Sequence, residues 1–162
     1  MTQVRFAQLS DIPAMVELGR HMHVQSRYGW MVYSASQTWK YLERVIPNKQ
    51  CCVIVAVGEG AGGQRYEQAE LFGALLATAR KYPFSADFAA HIDHLYVTPH
   101  KRGTPVAMKM VTAFRRWANN REVAEITISN QFGVGQAQST KLFNKLGMSS
   151  VGGQHSMWVQ RK

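Results

Sequence analysis

Three side chains that can exchange protons fall within four residues of one predicted strand: His91, Asp93 and His94. A histidine titrates near neutral pH, whereas an aspartate needs a raised pKa to accept a proton there. Asp93 or His94 is therefore a candidate general base, acting directly or through water, and His91 is the third candidate. The ordinary alternative for any one of them is a structural residue whose polar atoms are satisfied by neighbours.

Strand alternation predicts how these groups are distributed. It places His91, Asp93 and Leu95 on one face and Ile92, His94 and Tyr96 on the other. A metal site would have only His91 and Asp93 on a shared face, and no other spacing of histidine and cysteine supports one. We expect no metal ion.

The same strand leads into a second chemical feature, an anion site. Pro99 ends the strand, Lys101 and Arg102 form a basic turn, and a long amphipathic helix is predicted from Gly103. The first amides of a helix lack intrahelical acceptors and lie at its positive end, so they bind anions such as the pyrophosphate of a nucleotide-like cofactor. An ordinary helix start with solvated basic residues is the alternative.

This segment resembles the central motif of the GNAT acetyltransferases, Arg/Gln-x-x-Gly-x-Gly/Ala after a strand. Arg102 takes its first position and Ala107 its last. The resemblance covers most of the chain, including the opening at residues 4–7 and 11–14 and the late segment 142–148. It implies acetyl-coenzyme A as cosubstrate and direct attack by a primary amine of a protein or small molecule.

The resemblance also assigns the cofactor contacts. The amides of the pantetheine arm are expected to pair with the backbone of Leu95, Tyr96 and Val97. The pyrophosphate is expected to rest on the following segment, which consists of Arg102, Gly103, Thr104, Pro105, Val106 and Ala107.

Two positions depart from the family pattern. Pro105 stands where the middle glycine is expected, and a proline has no amide hydrogen to give a phosphate. Phe143 stands where many members place the tyrosine that protonates the coenzyme A thiolate. These departures favour an alternative function, an inactive GNAT-fold binding module such as a phage accessory or virion-associated protein that docks on a host target.

Other polar residues are candidates for acceptor binding. His21 and His23 lie near the end of the first predicted helix, and Tyr28 follows in the same segment. The resemblance implies that this segment forms a wall of the substrate groove. Asn130 follows a predicted strand and could bond a peptide-like substrate. Packed aromatic residues and an exposed polar turn are the plainer alternatives.

The elements that must position these residues follow from periodicity and turn chemistry. Strands are predicted over 4–9, 51–57, 70–79, 88–97, 125–129 and 156–160. Helices are predicted from the Ser10–Pro13 start, from a Ser34 or Ser36 cap to Pro47, over 103–119 and over 137–146, with a glycine-rich turn over 58–63. A meander followed by alternating strands and helices predicts one α/β (α+β) domain over 1–162, with a mixed, mostly antiparallel, twisted sheet and helices on both faces.

Composition bounds the classes of partner. The chain has 162 residues and 19 basic against 10 acidic side chains, a net charge of +9. This excess attracts anions, and it disfavours strongly cationic acceptors, but no basic block marks a nucleic-acid arm. The longest apolar run, 51–57, is too short to span a membrane, and we see no secretory signal. Adjacent Cys51 and Cys52 are expected in the core of a cytoplasmic monomer or homodimer.

Overall fold

The structure, a computed structural model, describes residues 2–58, 70–129 and 136–159. The strands are β1 (Thr2–Phe6), β2 (Cys51–Gly58), β3 (Leu71–Lys81), β4 (Phe88–Val97) and β5 (Glu125–Ile128). The helices are α1 (Ile12–Gln25), α2 (Ala35–Val45), α3 (Val106–Asn119) and α4 (Gln136–Lys145), with short 3-10 turns at Leu9–Asp11 and Pro99–Lys101.

The five strands form one sheet in chain order, β1-β2-β3-β4-β5. The first three pairings are antiparallel, and β4 pairs with β5 in parallel. The parallel pairing covers four residue pairs, from Ala89 opposite Glu125 to Ile92 opposite Ile128. This confirms a mixed, mostly antiparallel sheet whose last two strands separate beside the end of β4.

Helices cover both faces of the sheet, as predicted. The α3 helix packs Met110 and Phe114 against one face, which includes Leu75 and Ile92. On the other face α1 and α2 contribute a separate cluster; its members include Ile12, Leu42, Val55, Leu76 and Tyr96. The apolar run of β2 alternates between these two clusters, which explains why the sequence reads as continuously hydrophobic there.

Several predicted boundaries are wrong in informative ways. The long helix starts at Val106 and not at Gly103, because Gly103 has a positive φ of 79° and breaks the helical path. No strand forms over 156–159, where Met157 and Val159 are more than four-fifths exposed and find no face to bury. The predicted glycine-rich turn over 58–63 lies outside the described residues, except for Gly58.

The start of α1 uses different chemistry from the predicted cap. The Asp11 carboxylate accepts hydrogen bonds from the Arg5 guanidinium, at 2.7 and 2.8 Å, and from the Gln8 amide at 2.7 Å. Burial raises its pKa, but the hydrogen bonds to Arg5 and Gln8 outweigh burial and hold the pKa below its usual value. The second helix is capped as one of the predicted alternatives had it, with the Ser34 hydroxyl accepting from the Gln37 amide.

Candidate active site

A β-bulge in β4 determines which side chains face α1 and α2. Leu76 of β3 lies opposite His94 and Ala77 lies opposite Ile92, so Asp93 is an extra residue on β4. An extra residue reverses the alternation that follows it. The predicted faces are therefore wrong: Leu95 joins the α3 cluster, and Tyr96 joins the α1–α2 cluster.

The bulge gathers the titratable groups of β4 on the α1–α2 face. His91 lies opposite Thr78 and His94 opposite Leu76, and directly opposed residues share a face. The Asp93 carboxylate accepts a 2.7 Å hydrogen bond from the Thr78 hydroxyl. The sequence predicted these three residues as candidates, but it separated His94 from the other two.

The three groups differ in their surroundings. Burial lowers the pKa of His94, an effect that the neighbouring Asp93 carboxylate opposes and that His91 reinforces. Burial also raises the pKa of Tyr41 on α2, and the Asp93 charge raises it further. His91 lies between two hydroxyls of the β5 side, with Nδ1 at 2.7 Å from Thr127 Oγ1 and Nε2 at 3.4 Å from Ser129 Oγ.

A cleft of about 670 Å³ opens where β4 and β5 diverge. Asp93 lines it, whereas His91 and His94 are not among its described lining residues. Four cationic side chains border it and give the cleft a strong positive character: Lys101, Arg102, Lys141 and Lys145. Such a cleft attracts a polyanionic ligand.

The start of α3 supplies backbone donors to the cleft. The Lys109 amide makes the first intrahelical bond, 2.9 Å to the Pro105 carbonyl. The amides of Val106, Ala107 and Met108 precede that bond and are the donors that a helix N-terminus offers to an anion. Pro105 lies just before the helix and not within its first turn, so its missing amide leaves these three donors in place.

The predicted cofactor segment comes together around this helix start. Leu95, Tyr96, Val97 and the whole run from Arg102 to Pro105, together with Ala107, line the cleft. Val106 is 3% exposed and belongs to the α3 core, so only its backbone could serve a ligand. Thr104 closes the turn through a 2.6 Å bond from its hydroxyl to the Lys101 carbonyl.

The Arg102 side chain does not extend toward the start of α3. Its Nε donates to the Val97 carbonyl at 3.1 Å, and its Nη2 donates to Gln25 Oε1 at 2.7 Å. Gln25 Nε2 in turn donates to the Tyr96 hydroxyl at 2.9 Å. No sequence pattern predicts a role for Gln25, because a glutamine at a helix end has no spacing relation to a motif seventy-seven positions later.

The predicted acceptor residues lie at the end of α1 and after it. Met22 lines the cleft, and it is flanked by His21 and His23. His21 is exposed and its Nε2 lies 3.4 Å from a Glu17 carboxylate oxygen, whereas the His23 ring lies 5.4 Å from the Tyr33 ring. Asn130, the fourth candidate, lies outside the described residues.

Tyr28 belongs to an aromatic cluster that the C-terminal segment completes. The Trp158 ring makes edge contacts with Tyr28 and Trp30, at centroid distances of 5.8 and 5.1 Å. Arg27 lies over both the Tyr28 and Trp158 rings and donates a 2.6 Å hydrogen bond to the Ser156 hydroxyl. This contact with the loop after α1 is what the segment makes in place of the predicted last strand.

Two other predicted residues have clear surroundings. Phe143 lines the cleft from α4, with Ser139 one turn earlier on the same helix, and its ring has no proton to donate. Cys52 is 1% exposed, and burial raises the pKa of its thiol to about 12, as expected of a core residue. Cys51 packs against the opposite cluster, so the two neighbouring thiols lie on the two sides of β2.

Within the part of the chain that is described, no group of three or more histidine, cysteine, aspartate and glutamate side chains is arranged to hold a metal ion. None of the described helices combines the length and apolar character needed to cross a bilayer.

Solved structures share this architecture over nearly the whole chain. A transcriptional regulator from Bacillus halodurans C-125 is 19% identical, with a TM-score of 0.75 over 98% of this chain and 100% of that chain. Glucosamine-6-phosphate N-acetyltransferase from Arabidopsis thaliana is 15% identical, with a TM-score of 0.75 over 99% of both chains. The aminoglycoside acetyltransferase AAC(6′)-Iy, in complex with the bisubstrate analogue CoA-S-monomethyl-acetylneamine, is 14% identical, with a TM-score of 0.73 over 100% of this chain and 99% of that chain.

No protein-family model and no curated protein matches the sequence. At these identities the structural similarity establishes the fold, which is the GNAT acetyltransferase fold that the sequence resemblance implied.

Proposed function

We propose that this chain, acting as a single domain over 1–162, transfers an acetyl group from acetyl-coenzyme A to a primary amine. The observation that carries the proposal is the cleft between β4 and β5, which joins backbone donors, cations and a carboxylate in one space. A gap between two strands that had only a structural role would not need backbone donors, cations and a carboxylate together. The acetyltransferases with the same fold support the same class of chemistry.

The cleft offers complementary groups to each part of coenzyme A. The exposed edge of β4 at Leu95–Val97 would pair with the amides of the pantetheine arm, as one strand edge pairs with another. The helix amides of 106–108 and the surrounding cations would hold the pyrophosphate. Acetyl-coenzyme A supplies the thioester, whose carbonyl carbon is the centre of attack.

Asp93 is the residue we assign as general base. Its carboxylate lines the cleft and is held by the Thr78 hydroxyl, whereas His94 is half-buried and is not among the described lining residues. A proton from the acceptor ammonium passes to Asp93, directly or through water, and the free amine attacks the thioester carbonyl. The new C–N bond forms and the C–S bond breaks. The nitrogen gives up its second proton to water as it becomes the amide, and the coenzyme A thiolate takes up one proton from water, so that the products are the acetamide and the free thiol.

The positive charge of the cleft and of the whole chain bears on which amines can serve as acceptor. The cleft mouth carries cations, and the whole chain has a net charge of +9. A polyamine would be repelled at long range, so an amine on a neutral or acidic protein, or on a small metabolite, is the preferred acceptor. Phe143 favours the second candidate function, a GNAT-fold module that binds its target without turnover.

The test is an acetylation assay with labelled acetyl-coenzyme A against a panel of amines and a cell lysate. We expect label on at least one acceptor, and loss of that label with Asp93→Asn. The matched control is Asp87→Asn in the exposed β3–β4 turn, which should retain full labelling. Coenzyme A binding without any labelled product would favour the binding module, and absence of binding at millimolar coenzyme A would remove the acetyl transfer.

A further inference from the structure

The side chain of Arg102 connects the floor of the cleft to the end of α1. It donates hydrogen bonds to the Val97 carbonyl at 3.1 Å and to Gln25 Oε1 at 2.7 Å. Its guanidinium carbon lies 5.7 Å from the centroid of the Tyr96 ring. Gln25 closes the ring of contacts through its 2.9 Å bond to the Tyr96 hydroxyl. We call these four residues the Arg102 bridge.

The Arg102 bridge holds the guanidinium between the end of β4 and the end of α1. Tyr96 is 4% exposed and rigidly packed, whereas Gln25 is the exposed last residue of α1. The Gln25 amide is oriented by the Tyr96 hydroxyl, and it presents its oxygen to Arg102. A hydrogen bond to a charged donor is stronger than a neutral one, and an oriented acceptor loses less freedom on forming it.

The Val97 carbonyl is the point where this bridge meets the proposed cofactor path. Val97 is the last residue of β4, beyond the part of that strand that β5 pairs with. An amide-bearing arm laid along the β4 edge reaches this carbonyl with one of its N–H donors. Arg102 Nε therefore competes with the arm for the same acceptor and the same space.

We propose that the Arg102 bridge is a latch on the path of the pantetheine arm, and that Gln25 and Tyr96 set how readily it opens. The inference rests on the proposed function, since it takes coenzyme A as the ligand. Binding of the arm displaces Arg102 from Val97 and breaks the link to Gln25, so part of the binding free energy opens the latch. Weakening the latch should tighten binding of any ligand that carries the arm.

Calorimetry with two probes tests this directly. Coenzyme A carries the arm, and adenosine 3′,5′-diphosphate carries the nucleotide end without it. Gln25→Ala should lower the Kd for coenzyme A about threefold to tenfold, the size of one ordinary net hydrogen bond, because Gln25 is exposed to solvent. Tyr96→Phe keeps the ring beneath Arg102 and removes only the acceptor of Gln25, so its gain should be about twofold to threefold. Neither variant should change the Kd for the diphosphate.

Two further variants sharpen the result. The double variant, Gln25→Ala with Tyr96→Phe, should bind coenzyme A no more tightly than Gln25→Ala alone. The Tyr96 hydroxyl acts on Arg102 only by orienting Gln25, so it has no further effect once Gln25 is removed. Gln37→Ala, an exposed glutamine on α2, is the matched control and should bind as the wild type does.

Unchanged or weaker coenzyme A binding by Gln25→Ala overturns the latch. An equal gain for the diphosphate also overturns it, since Gln25 would then act on phosphate binding and not on the arm. If the wild type transfers acetyl groups and Gln25→Ala binds coenzyme A with the wild-type Kd, the proposed function is supported and the latch is not. Tighter coenzyme A binding in variants that transfer no acetyl group supports the latch and removes the acetyl transfer. If no variant binds coenzyme A, both inferences fall.

Discussion

At the scale of single residues, Asp93 combines two properties that suit a base. The bulge points its carboxylate to the face where α1 and α2 lie, and Thr78 orients it through a 2.7 Å hydrogen bond. His91 is held between two hydroxyls of the β5 side, and His94 is half-buried. These contacts support the proposal that Asp93, and neither histidine, takes the proton.

Replacing Asp93 with asparagine should lower kcat by about 10²–10⁴-fold, the range for loss of a general base. The KM for acetyl-coenzyme A should change little, because the cofactor is expected to use backbone groups of β4. Steady-state kinetics with Asp87→Asn as control measure both. Full kcat in both Asp93→Asn and His94→Gln between about pH 6 and pH 9 would show that the base is elsewhere.

Phe143→Tyr should raise kcat by up to about 10²-fold, because it places a proton donor on the cleft wall where the ring already lies. Phe84→Tyr adds the same hydroxyl at an 84% exposed position and serves as the control. Rates measured with a saturating acceptor compare the two. An unchanged rate in Phe143→Tyr would mean that protonation of the thiolate does not limit turnover.

At the scale of elements, the turn between β4 and α3 sets the backbone geometry of the anion site. Gly103 adopts φ = 79°, which turns the chain so that α3 begins at Val106 with its first amides toward the cleft. Gly147, after α4, adopts φ = 78°, the left-handed conformation in which a helix commonly ends on glycine. A Cβ at either position would meet no atom within 4 Å, so the cost of a side chain comes from the backbone alone.

This equivalence gives a matched pair of variants. Gly103→Ala and Gly147→Ala should each lose roughly 1–2 kcal/mol of folding free energy, the cost of a left-handed alanine. Denaturant unfolding measures that loss. Only Gly103→Ala should also weaken coenzyme A binding, because only that glycine belongs to the turn that aims the amides. Equal weakening in both variants would mean that binding follows general stability and not the geometry of this turn.

At the scale of the whole molecule, the two faces of the sheet serve different purposes. The described residues of the α3 face form an apolar cluster that contains none of the titratable side chains of β4. The α1–α2 face holds the polar groups of β4, and those groups include a histidine that burial keeps neutral to lower pH than usual. Because the pKa of His94 is lowered in the folded chain, its protonation is linked to the stability of the fold.

Stability should fall in acid because of His94. Its pKa is lower in the folded chain than in the unfolded chain, so the unfolded state binds more protons once the pH drops below about 6.5. The free energy of unfolding should decrease from there until the pH reaches the folded pKa. Urea titrations of His94→Gln should show a shallower decrease, whereas His155→Gln, at an exposed position, should keep the wild-type slope. Parallel slopes for His94→Gln and the wild type would contradict this origin of the acid sensitivity.

The sequence by itself determined most elements and the segment that carries the chemistry. Periodicity located the strands at 51–57 and 88–97 and the long helix, since burial on one or both faces leaves a local apolar pattern. Residues 95–107 were recognisable because a strand, a basic turn and a helix start are contiguous in the chain. The final strand, predicted over 156–160, does not form over 156–159, since a strand also needs a partner edge, which lies in the tertiary structure.

Only the tertiary structure decided which side chains meet. The bulge at Asp93 has no local sequence pattern, because it is defined by the pairing with Leu76 and Ala77 on another strand. The contact of Arg102 with Gln25 joins residues from separate helices and loops, and the contact of Arg27 with Ser156 does the same across the chain. Local preferences depend on neighbouring residues, whereas these contacts depend on how the helices pack on the sheet, which no single segment encodes.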